Sequence, residues 1–473
     1  MTYTLIALYT FLFAYITWRR FEHGLFLFFL LLPTYLIRFP LFGVPTTLLE
    51  VMFWILFGVW ALSRITYHIS HSEQTKEKLL LRVTRYVKNT YTKQPLLFTS
   101  IILFLLGATI SIFTSINIRT ALGEWKAFYV EPVILFLLLV TTIKDRGQNI
   151  EDSETRPHLL YSILYILTPL LLCGLITSLL AIYQHFTGWY VPYAFWENRA
   201  TYRVTAWYGF PNGVGLFLAP LVPLAIGMII SFIHETKSSI IKRSYNHIII
   251  TTISLLYIPC SILAILFAKS TGALIGIAAS IGFLLLLYKK TRWLTLAVGI
   301  VGIVSLFSVS SLKPIRDEIF FQDRSGQIRL AIYDETIQLL KDRPIFGAGI
   351  ASYDERIAPY HGRVNGESIE IFHHPHNIFL TMWVNIGLIG LIGFLGIIVW
   401  CFKRSYEVMM LRSYEEKTNY QLPITHYLLT PMIVLLTSGL VDSPYIKNDL
   451  AFLFWAIISI IYSMSYKKIN SSL

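Results

Sequence analysis

The chain is short of charge. Asp, Glu, Lys and Arg make up only 14% of its 473 residues, whereas a soluble domain carries about 25%. That deficit excludes an ordinary soluble fold. Cysteine is scarce as well. Cys173 and Cys260 lie inside apolar runs and Cys401 at a predicted helix end, with no spacing that fits a disulfide framework or a zinc site, so all three read as small apolar residues. There is no G-x-x-x-x-G-K-[ST] loop, which argues against ATP-driven transport, and no H-E-x-x-H zinc pair. No Asp-x-Asp pair of the kind that holds a metal on a sugar-nucleotide donor is present, nor any internal repeat or low-complexity tract. Thr2 to Trp18 has neither a basic leader nor an A-x-A-like site, so it is expected to be a retained first helix.

Hydrophobic residues, at 55%, supply what charge does not, and mean hydropathy is +0.60. Apolar runs near 20 residues recur along the chain, each long enough to cross a ~30 Å hydrocarbon layer as a helix. A transmembrane β-barrel would alternate apolar and polar residues; this chain does not, which leaves helices. The expected class is therefore an all-α polytopic membrane protein. Candidate spans fall near 3–18, 24–39, 44–62, 96–115, 125–143, 159–184, 211–233, 248–268, 274–288, 293–312, 376–400, 425–441 and 450–466. That makes thirteen, or twelve if one of the first two is re-entrant at Pro33.

Lys and Arg set the orientation. One set of alternate loops, including Arg19-Arg20, the 64–95 loop and Lys467-Lys468, holds 24 of them. The short loops of the other side hold seven: Arg38, Arg119, Lys126, Arg199, Arg203, Lys269 and Lys447. The first set is expected to be cytoplasmic. The net charge of +12 is then a topology signal, with the lipid bilayer as partner and no nucleic acid. Residues 313–375, with eight Lys/Arg and ten Asp/Glu, form one large extracytoplasmic loop. It divides the chain into 1–312 with ten spans, the loop itself, and the C-terminal spans of 376–473. Inside the loop, Gln327 to Lys341 reads as a helix with Leu330, Tyr333, Ile337 and Leu340 on one stripe. Ser325 is its expected cap and Pro344 its stop.

The strongest local signal is His373-His374-Pro375-His376-Asn377, where the loop meets the next span. Pro375 fits the first turn of a helix, which would put His376 at an exposed helix N-terminus. Leu380, Trp383 and Gly387 would share its face, and Gly387, Gly390, Gly393 and Gly396 would allow close helix packing. A neutral histidine there can take a proton from a hydroxyl. Metal binding and interfacial packing are the competing readings, although no matching acid or cysteine cluster is visible nearby. A second signal is a set of lone cations on the side where Lys and Arg are rare: Arg203 before Gly209-Phe210-Pro211-Asn212, Lys269 in a tight turn, and Arg329 on the loop helix, with Arg199 and Lys126 weaker. A diphosphate would explain them; snorkelling or loop ion pairs would explain them otherwise. Trp189, Tyr190, Tyr193, Phe195, Trp196, Tyr202, Trp207 and Tyr208 crowd one loop, as an interfacial belt or as a platform for sugar rings. Asp442, at the end of the twelfth span, reads equally as a plain helix-end carboxylate and as a partner for a histidine or an arginine.

Four stretches together resemble the O-antigen ligase and O-antigen polymerase family of bacterial envelope enzymes. They are Arg203 with Phe210-Pro211-Asn212; Lys269-Ser270-Thr271-Gly272-Ala273; Arg329, Tyr333 and Asp342-Arg343-Pro344-Ile345-Phe346-Gly347-Ala348-Gly349; and His374-Pro375-His376-Asn377 followed by Gly387-Leu388-Ile389-Gly390. The likeness covers about 200–460. It departs at Thr271, where the family usually has arginine, and Lys269 stands two residues earlier. The resemblance implies a C-type glycosyltransferase-like helical fold and a polyprenyl-diphosphate-linked glycan donor. It also implies metal-independent, inverting transfer to a hydroxyl of a glycan, lipid or protein acceptor at the outer face of the bacterial cytoplasmic membrane, with no cofactor. His376 is then expected as the base. Arg203, Lys269, Arg329, His374, Asn377, Asn212, Arg199 and Asp442 are expected around the substrate. A transporter or flippase of lipid-linked sugars is the alternative from another class, and it would place its charges at mid-membrane in broken helices.

Overall fold

The computed structural model describes residues 2–41, 44–70, 92, 94–148, 156–189, 196, 202–237, 245–414 and 427–466. Arg199, Tyr190, Tyr193, Phe195 and most of the 64–95 loop fall outside them. Among the described residues the fold is helical. The only strands there are two hairpins, Arg38–Leu41 with Val44–Thr47 and Arg363–Val364 with Glu367–Ser368. The chain is an all-α polytopic membrane protein.

Seven described helices are long and apolar enough to cross a membrane, or eight if Arg292–Ser308 and Ser310–Asp342, bent by 93°, count as one. Three further apolar helices, Phe21–Leu30, Thr271–Leu287 and Asn448–Met464, are shorter, and some of the expected runs are interrupted. The 24–39 run stops as a helix at Leu30, makes a 3₁₀ turn through Pro33 and enters a β-hairpin at Arg38; proline lacks the N–H that would continue the helix. The 425–441 run yields only the Thr430–Ser438 helix, followed by an irregular turn to Lys447.

The core of the bundle is aromatic. Trp455, Tyr129, Tyr445, Phe104 and Phe136 are fully buried. The Tyr445 ring meets Phe454 edge-on at 5.2 Å and Phe104 at 6.1 Å, geometries worth about 0.5–1.5 kcal/mol each beyond their burial. Its hydroxyl donates to the Phe128 carbonyl at 2.7 Å and accepts from Trp455 Nε1 at 3.0 Å. These bonds pin the 439–447 turn against the neighbouring helices.

The Ile378–Tyr414 helix runs along Pro95–Thr114. Gly390 lies against Gly107, Gly393 against the backbone of Phe104, and Gly396 against the Ser100 hydroxyl, so these three glycines allow the close approach expected of them. Gly387 does something else. Its φ of 65° and ψ of −176° break the helix, and the 345–349 turn of the large loop docks into the break. Leu388 N donates to Ile345 O at 2.8 Å, while Ala348 N and Gly349 N donate to Val384 O at 2.7 and 3.0 Å. The backbone groups that the kink frees are thereby satisfied.

The loop helix is Arg324–Asp342, three residues longer at its start than the pattern predicts. Its cap is Asp323 rather than Ser325: the Asp323 carboxylate accepts from Gly326 N at 3.0 Å and Ser325 N at 3.2 Å. The expected stripe is also rotated. Leu340 is buried, but Leu330 and Ile337 are exposed, and Ile332, Thr336 and Leu339 take the inner face. The loop is tied to the Pro95–Thr114 helix end by Arg356 donating to Thr114 O at 2.6 Å and by Ile116 N donating to Ser352 Oγ at 2.9 Å.

Candidate active site

Three segments converge at the loop-bearing end of the bundle: 202–213, 373–377 and 439–447. The first is positioned by Gln184, a fully buried side chain. Its Oε1 accepts from Thr205 N and Ala206 N, and its Nε2 donates to Ala206 O. Arg203 is thereby turned toward the Phe267–Thr271 corner. Its Nε donates to Ala268 O at 2.7 Å, and one terminal nitrogen donates to Lys269 O at 3.0 Å and to Asn212 Oδ1 at 2.8 Å. The guanidinium lies 5.4 Å from the Trp196 ring centroid, a cation–π distance. Burial and the nearby Arg329 pull its pKa down to about 10, so it stays charged at neutral pH.

Asn212 passes the link on. Its Nδ2 donates to Asp442 Oδ2 at 2.8 Å, and Asp442 Oδ1 faces His376 Nδ1 at 3.4 Å while accepting from Ser443 N at 2.8 Å. Arg203, Asn212, Asp442 and His376 therefore form one hydrogen-bonded chain across 240 positions of sequence, from 203 to 442. Burial by itself would raise the Asp442 carboxyl. The His376 hydrogen bond and charge, with His374 and the Ser443 amide, instead hold it well below the usual carboxylate range. Because an ionised carboxylate only accepts, Nδ1 of His376 carries a proton toward Asp442.

His376 is not on the helix, which corrects the expected placement. Pro375 and His376 precede it, His376 has a left-handed φ of 50°, and the helix starts at Ile378. Asn377 is the cap: its Oδ1 accepts from Phe379 N at 3.0 Å and Leu380 N at 3.1 Å, and its Nδ2 donates to Leu440 O at 3.2 Å. Its side chain is thus occupied in holding the loop to the helix. The His376 carbonyl and the Leu440 carbonyl both accept from the Tyr333 hydroxyl, at 2.9 and 2.8 Å. Arg329, on the same helix, donates from Nε to Val441 O at 3.0 Å. The loop helix in this way clamps both the histidine segment and the 439–447 turn.

His374 packs its ring 4.6 Å from that of His376, and its Nδ1 accepts from His376 N at 3.3 Å. Burial, then the charge of His376, depresses its pKa to about 3, which keeps it neutral and accepting. His373 points away, to Asp354 at 3.0 Å. Lys269 contributes its carbonyl to Arg203, while its own side chain is exposed and lies outside the hydrogen-bonded chain.

His374, His376 and Asp442 offer ligand atoms within 4.8 Å of one another, the one group of this kind found among the described residues. Sequence spacing hides it, because the acid comes 66 positions later. Arg329 bears on Arg203, and Lys447 on His374, through their charges.

Residues 256–395 match the family model described as O-antigen ligase. This part of the chain is an O-antigen ligase family domain. The family is one of glycosyltransferase- or ligase-type enzymes of the membrane. The O-antigen ligase match contains Lys269, the loop helix and His376, whereas Arg203, Asn212 and Asp442 lie outside it and join it only in space. An uncharacterized protein of Haemophilus influenzae is 23% identical over 194 residues, which is 37% of this chain and 48% of that protein. The alignment thus spans about half of the relative's length.

Sequence reasoning missed four contributors. Tyr333 was placed on a hydrophobic stripe rather than on two carbonyls. Gln184 sits inside an apolar run, a polar exception that was the available signal. Thr381 and Ser443, whose hydroxyls meet at 2.6 Å, look like ordinary helix residues in the sequence.

Proposed function

We propose that the protein transfers a polyprenyl-diphosphate-linked oligosaccharide to an acceptor hydroxyl at the extracytoplasmic face of the bacterial cytoplasmic membrane, without a metal and with inversion. The observation that carries this reading is the Arg203–Asn212–Asp442–His376 chain, which couples a cation to a histidine held through Nδ1.

The chemistry divides between its two ends. The acceptor oxygen attacks the anomeric carbon as the bond from that carbon to the diphosphate oxygen breaks. The leaving lipid diphosphate takes the electron pair, and the hydroxyl proton goes to Nε2 of His376. Attack opposite the leaving group inverts the anomeric configuration. Asp442 stabilises the imidazolium that forms, as a carboxylate does behind any histidine base. Arg203 and Arg329 offset the charge developing on the diphosphate, the role in which other enzymes use a metal. His374, neutral and bonded to the His376 amide, orients the base. The 313–375 loop roofs the site and limits water, which would otherwise hydrolyse the donor.

The test is His376→Ala in cells. Full-length protein with no transfer and accumulated lipid-linked oligosaccharide is expected. Near-normal transfer would remove His376 from the mechanism. In a deletion strain, a single attached repeat with chain length lost indicates a polymerase, and loss of all attachment indicates a ligase.

A further inference from the structure

Lys447 is a cation that pairs directly with no acid among the described residues. It closes the 439–447 turn, five residues after Asp442. Its Nζ lies 5.5 Å from the Tyr208 ring centroid and 5.8 Å from that of Phe210. A Cβ built on Gly213 would stand 3.3 Å from it, so the ammonium rests against the residue next to Asn212. The side chain is half-buried. Among the described residues it makes no ion pair, and no side-chain hydrogen bond accompanies the two ring contacts. The acids nearest in effect, Asp449 and Asp442, are not within ion-pair distance. Asp449 is fully buried, and the Lys447 charge lowers its carboxyl against the effect of burial.

An ammonium carries three donors and needs acceptors when water is removed. The two aromatic faces stabilise its charge but accept no ordinary hydrogen bond. Snorkelling would take Nζ out to water; here it is folded inward against Gly213. Burial lowers its pKa, and Asp449 and Asp442 oppose that. Its charge is felt at His374.

We propose that Lys447, seated between Tyr208, Phe210 and Gly213, is a further anion-binding group that takes an anionic oxygen of the lipid-linked donor, from the diphosphate or from an acidic sugar next to it. This rests on the function proposed above. Tyr208 and Phe210 hold the ammonium in position, Asp449 keeps it protonated from beneath, and the donor's oxygen completes its coordination. The donor is then gripped from two sides, by Arg203 with Arg329 and by Lys447.

The experiment measures equilibrium binding of two probes, undecaprenyl diphosphate without sugar and the glycan-bearing donor. The purified full chain in detergent is compared with Lys447→Gln and Lys447→Arg, and thermal unfolding serves as the folding check. A hydrogen bond to a charged group is worth about 1.5–3 kcal/mol, roughly 10- to 150-fold in affinity. Lys447→Gln is expected to weaken binding by about 10-fold or more, and Lys447→Arg to restore most of it. Weakening with both probes assigns the oxygen to the diphosphate; weakening with the glycan-bearing donor alone assigns it to a sugar acid. Unchanged affinity of Lys447→Gln for both probes overturns the proposal, as does equal loss in Lys447→Arg and Lys447→Gln. If the unsubstituted chain binds neither probe, the proposed function itself fails, and this inference with it.

Discussion

Asp442→Asn removes one charge and almost no volume, so it probes the link between the two ends of the site. The carboxylate accepts from Asn212 Nδ2 at 2.8 Å, from Ser443 N at 2.8 Å and from His376 Nδ1 at 3.4 Å. An amide cannot serve all three. With its oxygen toward Ser443 and His376, its NH2 faces the NH2 of Asn212, donor to donor. With its NH2 toward His376, the ring must offer Nδ1 as the acceptor, so the proton moves to Nε2 and the base is lost. The first case forfeits one charge-assisted bond, about 1.5–3 kcal/mol or at least about 10-fold in rate. The second inverts the tautomer, which costs up to about 10⁴-fold where a carboxylate behind a histidine base has been replaced by an amide. Arg203 keeps its bonds to the Ala268 and Lys269 carbonyls, so donor affinity is expected to stay within about 3-fold, a loss well under 1 kcal/mol. The assay is single-turnover transfer at saturating donor, with binding measured separately. A folded Asp442→Asn protein whose rate lies within about 2-fold of the unsubstituted chain, a difference under 0.5 kcal/mol by the usual conversion, would refute the coupling.

Two further outcomes follow from local geometry. Gly387→Ala puts a side chain where φ and ψ suit glycine alone, with its Cβ 2.5 Å from Ile345 O; a loss of about 1–3 kcal/mol from the strain alone is expected as a lower unfolding midpoint. His374 gives a pH test. Its folded pKa, about 3, lies below the unfolded value near 6.5, so the unfolded chain binds the extra proton first. Its contribution is complete above pH 6.5 and declines as pH falls toward 3. His374→Gln is expected to flatten the fall of the unfolding midpoint between pH 6.5 and 4; parallel curves would show that His374 is not held neutral.

Membrane class, helical content and the histidine cluster of the candidate site are legible in the chain because they depend on local composition. Apolar runs must be helical in lipid wherever they fall, and a cluster such as His374-Pro375-His376-Asn377 is noticed without knowing its neighbours. The same local reading does not see that the 24–39 run turns into a hairpin at Arg38 or that the backbone breaks at Gly387 within one helix. It also places His376 on a helix that starts two residues later. Only the tertiary structure decided that Asp442 stands between His376 and Asn212, that Arg203 gives its bonds to the Lys269 turn while the lysine side chain stays outside, and that Tyr333 holds the histidine segment by its carbonyl. Those pairings span tens to hundreds of residues, and their energies depend on distances of 2.8 to 3.4 Å. Residue order along a chain carries no direct record of such distances; they are set when the packed aromatic core fixes where each turn ends.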